Sequence, residues 1–358
     1  MKNTIKRAGI VITLLLLIGQ FTSCTKTVKE VEIADNTAIT VVTEVIKTLR
    51  EPIAFITGVD AGNNDFYSSA RQYFIEKEFE VIDDAFSLEE IITWLNRNYD
   101  DRKYGEIHIV SHSNPWKGMS LENVIKGERI TVETLKKNAI EGSLPTLENV
   151  ISANSKIVFH ACGLGENTGL LKMFKNIFTT DSSPSIIASP YYTVFGKDFS
   201  NQYLAKPYYG FYPTANSPGK TDLSKEFAKK YPAEKDINWF DALNNETERY
   251  IGEAYTFKFN IPVEWEIDFS DTDETVPSFK NKEEIMDWIS EDELISKEIS
   301  NYNIPLEKFR WKTYVKGNKL IIKGKTTVLC VLKPIIKPYG DLEHVAPEID
   351  NLRLYNVE

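Results

Sequence analysis

Short apolar runs of β type alternate with amphipathic helical stretches, and this pattern predicts an α/β protein. The expected architecture is a three-layer α/β/α domain with a mostly parallel sheet, followed by a mixed α+β C-terminal region. Three observations carry this. The runs are only four or five residues long and apolar on both faces, as in strands covered from both sides. Helical segments with start signals separate them. Past Lys206 the alternation stops and longer period-two patterns take over.

Taken in order, Ile53 to Thr57 is the first strand, ending in the loop from Gly58 to Asp65. A helix carrying Phe66, Ala70, Tyr73 and Phe74 follows, then a strand over 79–82. Ser87 with Glu90 three residues on is a capping box opening the helix of Ile91, Ile92 and Leu95. Strand three is 107–110, running out to His112, and Thr131 opens a helix with Val132, Leu135 and Ala139. Strand four is 157–159, running out to Cys162. Gly163, Gly165 and Asn167 turn the chain into the helix of Leu170, Leu171 and Phe174, and 185–188 is strand five. Beyond it, 207–219 reads as a Tyr/Pro/Gly-rich loop, and 223–231 and 239–251 as helices. Residues 255–269 alternate as a half-buried strand or hairpin, which Pro262 places at an edge or bulge. Residues 311–332 read as a hairpin turning at Lys316-Gly317-Asn318.

The chain of 358 residues, 12% aromatic, can bury a full core. Its start reads as a leader: Lys2, Lys6 and Arg7, then the apolar run 10–18, too short to span a bilayer. Phe21-Thr22-Ser23-Cys24 looks like a bacterial lipobox, with Phe21 in place of the usual leucine, and implies lipidation at Cys24. The expected divisions are a signal peptide over 1–23, a tether with a short helix (Asn36 as cap; Ile39, Val42, Ile46, Leu49) over 24–50, the α/β domain over 51–215, and the helical and β-rich region over 216–358. Loss of the leader takes the formal charge from –10 to –13. So acidic a body speaks against nucleic acid as a partner, and membrane attachment then rests on the lipid. The expected location is the cell envelope, the outer membrane before the inner. Besides Cys24 the cysteines are Cys162 and Cys330. Cys330, in an apolar run, reads as a buried thiol; a Cys162–Cys330 disulfide is the competing possibility.

His112 and Cys162 end two strands of one parallel sheet, and functional groups of such sheets collect beyond the carboxyl ends of the strands. A thiol needs a neighbouring imidazole to become a useful nucleophile. With Ile107 to Ser113 and Ile157 to Gly163 quoted side by side, the chain resembles the caspase-like cysteine peptidases: one apolar strand ends on the histidine, the next on Ala-Cys. The two residues lie 50 apart, close to the spacing in caspases. The resemblance covers about residues 52–205 and implies a caspase-like α/β/α domain acting on a peptide or protein substrate without a cofactor. It implies Cys162 as nucleophile, His112 as general acid/base, and the backbone N–H groups of Ser113 and Cys162 as oxyanion donors. The family has glycine where this chain has Ser113, and a Cβ there restricts the donor's backbone. Asp60, Asp65 and Tyr191 are the candidate substrate-binding side chains, the aspartates competing with a reading as solvated turn caps.

The same residues admit other readings. His108 and His160 fall on the sides of His112 and Cys162, a set that zinc could use, although both lie far back from the sheet edge. Ser113 lacks the glycines of a nucleophile elbow. The main alternative to a peptidase is a catalytically inactive caspase-like surface lipoprotein that binds without cleaving.

Overall fold

The computed structural model describes residues 49–58, 64–196, 198–270 and 275–358. The leader, Cys24, the helix expected from Asn36 and the candidate Asp60 lie outside these residues. Leu49, the last apolar position of that expected helix, is instead in a two-residue strand pairing with Lys103–Tyr104.

The chain is a mixed α/β protein. Its first half runs β1 (Ile53–Ile56), α1 (Asp65–Glu76), β2 (Glu80–Ile82), α2 (Leu88–Arg97), β3 (Glu106–Val110), α3 (Val132–Glu141), β4 (Lys156–His160), α4 (Thr168–Phe178) and β5 (Ser185–Ala188). Side chains start the helices as the sequence indicates. Ser87 Oγ accepts from Glu90 N at 3.1 Å, Thr131 Oγ1 from Thr134 N at 3.2 Å and Asn167 Oδ1 from Leu170 N at 2.9 Å. Each satisfies an N–H that the first helical turn leaves over.

The second half continues with β6 (Tyr192–Phe195), β7 (Gln202–Pro213), α5 (Lys220–Lys230), α6 (Trp239–Ala242), β8 (Tyr255–Asp268), α7 (Lys282–Glu291), α8 (Glu293–Ser300), β9 (Arg310–Lys316), β10 (Lys319–Pro334) and β11 (Asn356–Val357). Two sheets result. The first has the order β11-β5-β4-β3-β1-β2, parallel throughout except for β11. The second is antiparallel, ordered β6-β7-β10-β8 with β9 also on β10. The first sheet thus draws on 53–188 and 356–357, the second on 192–334. Cutting the chain at 215 would divide the second sheet.

Two expectations need correction. Residues 207–213 are strand, not loop. Pro207 sits opposite Leu332 of β10, two residues past the last pair with β6, Ala205–Tyr192, so its missing N–H costs no ladder bond. Gly210 is glycine because the Phe227 ring lies 2.3 Å from where a Cβ would stand. The helix at 239 stops at Ala242 because Asn244 Nδ2 takes the Phe240 carbonyl at 2.7 Å, the acceptor the next helical turn would have used. By contrast, Pro262 is on β8, an edge strand, and β9 and β10 turn through Gly317-Asn318 with Gly317 at φ 62°.

One face of the first sheet (Ile53, Phe55, Ile107, Ile109, Ile157, Phe159) packs against α2, α3 and α4 in the largest core cluster. Its other face (Ala54, Ile56, Val110) meets α1 through Tyr67, Ala70 and Phe74, and meets β6 through Phe195. The period of two then fixes what each strand tip presents. Ala161 joins the α2/α3/α4 side, whereas Cys162 falls on the side of the second sheet.

Candidate active site

The register brings the two strand tips together. Val110 is paired with His160, and Ser111 N donates to the His160 carbonyl at 3.3 Å. His112 and Cys162 each lie two residues beyond that pair, on the same face as the residues they follow.

His112 is held by α1. Asn64, the cap of that helix, accepts from Phe66 N through Oδ1 at 2.9 Å, which leaves its amide nitrogen to donate to His112 Nε2 at 3.0 Å. Nε2 is then the unprotonated nitrogen, and a neutral His112 carries its proton on Nδ1. The ring stacks on Phe66 at 4.4 Å and meets Tyr67 edge-on at 4.9 Å, while its backbone N–H donates to Tyr67 Oη at 3.0 Å. Asn64 is a candidate site residue that the sequence does not mark. Its place before a helix signals a cap, but nothing local signals the imidazole.

Cys162 sits where β4 gives way to a tight turn. Gly163 has φ 70°, and the N–H groups of Gly163 and Gly165 donate to Tyr191 O at 3.1 Å and Ser189 O at 2.9 Å, tying the turn to the exit of β5. Gly165 is required: a Cβ there would lie 2.6 Å from backbone atoms of Ala188, Ser189 and Pro190. The Cys162 side chain packs with Tyr192, Tyr203, Ala205, Tyr255, Cys330 and Leu332 of the second sheet, 8% exposed, and Sγ faces Thr193 O at 3.8 Å. Burial pushes its thiol up to about 12. Cys162 is therefore a neutral thiol in this conformation, not the thiolate that attacks. Cys330 is fully buried and also pushed up by burial, and both cysteines are free, so no disulfide joins them.

Outside the strand tips lies a crevice of about 780 Å³, walled by Ser113, Asn114, Trp116, Cys162, Gly163, the first residues of α3 and α4, and Tyr302. Trp116 is pinned across it by an indole N–H donated to Tyr302 O at 2.8 Å. Its lining contains Glu133, Glu166 and Glu298 and no lysine or arginine. Ser113 pairs with Met119 and is not among the residues with positive φ, so its Cβ imposes no strain where the family has glycine. Two candidates sit elsewhere. Asp65 is exposed in the first turn of α1, where a carboxylate suits the helix dipole, and Tyr191 packs against the cluster of Leu354 and Tyr355. Neither lines the crevice. A second cavity of about 760 Å³, over Phe211 and Phe227, holds neither His112 nor Cys162.

His108 and His160 bond to each other, Nδ1 to Nε2 at 2.9 Å, beneath α1. Among the described residues no group of three or more His, Cys, Asp or Glu is placed to hold a metal ion, and no helix is long and apolar enough to cross a membrane.

Comparison of the chain with protein-family models, with curated proteins and with solved structures returned no match.

Proposed function

We propose that the protein is a lipid-anchored cell-envelope cysteine endopeptidase with a caspase-like three-layer domain, using Cys162 as nucleophile and His112 as general acid/base. The observation that carries this is the register of β3 and β4, which makes the two strand tips neighbours on one face, beside a crevice that Ser113 and Cys162 line and His112 does not. Sγ would attack the peptide carbonyl and pass its proton to Nε2 of His112, the unprotonated nitrogen, as that nitrogen exchanges the Asn64 amide for the thiol. The imidazolium would then protonate the departing amine, and water would hydrolyse the thioester. The three glutamates of the crevice, without a cation among them, favour substrates with a basic side chain near the scissile bond.

A resting thiol this neutral makes the described conformation a latent one, in which substrate binding has to draw Sγ out of its aromatic surroundings. The same burial favours the second reading, a surface lipoprotein that binds a polypeptide and does not cut it. The deciding experiment treats the protein with peptide acyloxymethyl ketones carrying Lys or Arg beside the electrophile. A peptidase is labelled at Cys162, and Cys162→Ala and His112→Ala each abolish both labelling and turnover. A chain that binds these peptides without becoming labelled is the binding module.

A further inference from the structure

A second nucleophile–base–carboxylate constellation lies away from the strand tips. Ser200, in the turn between β6 and β7, hydrogen-bonds through Oγ to Nδ1 of His344, and Nε2 of His344 lies 2.9 Å from Oε1 of Glu248. The His344 and Glu248 side chains are 3% and 4% exposed. The imidazole stacks on Tyr203 at 4.1 Å and 17°, and Glu248 Oε1 also accepts the N–H of Gly252. A carboxylate on Nε2 fixes the proton there and leaves the Nδ1 lone pair facing the serine hydroxyl. The two ring nitrogens are used in the reverse of the trypsin sense, but the roles are the same, and such sets are recognised by geometry and role. Ser200 borders a cavity of about 250 Å³ that Phe199, Tyr203, Glu248 and Tyr255 also line. The Tyr203 and Tyr255 hydroxyls meet there at 3.1 Å, and burial keeps both protonated as possible donors to a developing oxyanion.

We propose that Ser200, His344 and Glu248 form a serine esterase site for small uncharged acyl esters. Ser200 Oγ attacks the ester carbonyl carbon while its proton moves to Nδ1 of His344. The ester C–O bond then breaks and that proton goes to the departing alkoxide, leaving an acyl-serine and a free alcohol. Water attacks the acyl-serine, giving a proton to Nδ1 and then to Ser200 Oγ as the carboxylic acid leaves. Ser200 and His344 are catalytic residues, and Glu248 is a positioning residue. The size of the cavity limits the acyl group to a few carbons, and Asp198 and Glu246 on its border exclude anionic esters.

The test treats the full chain with a fluorophosphonate probe and maps the modified peptide by mass spectrometry, which separates this site from Cys162 whatever that residue does. Ser200 is the expected adduct, abolished in Ser200→Ala and formed at least 100-fold more slowly in His344→Gln. Glu248→Gln slows the labelling by about 10-fold, and Glu248→Asp, which keeps an anionic acceptor for Nε2, restores most of the rate. If His344→Gln does not fold, Ser200→Cys decides. Its alkylation by iodoacetamide stays fast down to about pH 6 when His344 activates it, and falls away below about 8.5, as for an ordinary thiol, when it does not. That second profile, or a folded protein in which Ser200 takes up no phosphonate, overturns the proposal.

Discussion

The imidazoles of His108 and His160 lie face to face in the core, 5.2 Å between centroids and 15° apart. Gln202 Nε2 is 3.2 Å from Nδ1 of His160, Nε2 of His160 is 2.9 Å from Nδ1 of His108, and Nε2 of His108 is 3.3 Å from Glu106 Oε2. Only one set of tautomers satisfies all three contacts: the amide donates to His160, His160 to His108, and His108 to the carboxylate. Both rings are then neutral, and neither has a nitrogen left to take another proton without breaking one of these contacts.

Burial lowers the pKa of both histidines, that of His160 well below its ordinary value. A base held neutral in the fold contributes stability that is complete above its unfolded pKa, near 6.5. That stability is lost as pH falls below this value, because the unfolded chain then binds the proton first. The Glu106 carboxyl, lowered chiefly by its hydrogen bond to His108, adds a loss in the same direction at lower pH. Urea unfolding at pH 7.5, 6.5 and 5.5 is expected to show stability falling toward acid, approaching about 1.4 kcal/mol per pH unit for each histidine. Equal stability at 7.5 and 5.5 would contradict the neutral pair.

Cys162 should react slowly with small reagents in the absence of peptide. With its thiol pushed up to about 12 by burial, alkylation by iodoacetamide at pH 8 is expected to trail that of a free cysteine by orders of magnitude, and to speed up on addition of urea. Rapid alkylation of the folded protein at neutral pH would show that the aromatic pocket does not hold the thiol.

Gly165→Ala is expected to cost about 2–3 kcal/mol, at the upper end of overpacking, because all the atoms a new methyl meets belong to backbone. Gly210→Ala should cost less, since there the obstacle is the Phe227 ring, which can turn. Equilibrium denaturation of the two variants checks the order as well as the size.

Asn64 serves a helix and an imidazole together. Asn64→Ala should lose about 1 kcal/mol as a missing cap, while Asn64→Asp keeps the cap and most of that stability. The tautomer has its own readout. In the neutral native protein, nitrogen NMR should show His112 Nε2 without a proton, and a protonated Nε2 would mean that the Asn64 amide is not its donor.

Much of the first sheet could be read from the chain because its signals are local. Four-residue apolar runs, the Ser87–Glu90 pair and the caps Thr131 and Asn167 each specify an element within a few residues of themselves. The second half was harder for two reasons. Pro207 and Gly210 read as loop residues until the partners that make them acceptable, the end of β6 and the Phe227 ring, are known. The helices α7 and α8 bury Ile285, Ile289, Ile295 and Ile299 at four-residue spacing but are otherwise so polar that no apolar run marks them. The site divides in the same way. That His112 and Cys162 end neighbouring strands follows from strand order and period two. The neutrality of the thiol comes from Tyr192, Tyr203, Tyr255 and Cys330, residues 30 to 168 positions further along the chain.

The antiparallel strand β11 has a consequence for how the molecule assembles. It closes the edge of β5 through the pairs Asn356–Ala188 and Val357–Ile187. The parallel sheet that positions both strand tips therefore keeps one flank open until a partner about 170 residues downstream arrives, a loop whose closure must be met late in folding. During synthesis the chain up to β5 leaves the ribosome with that edge bare, a stage at which a chaperone or a second nascent copy could pair with it first.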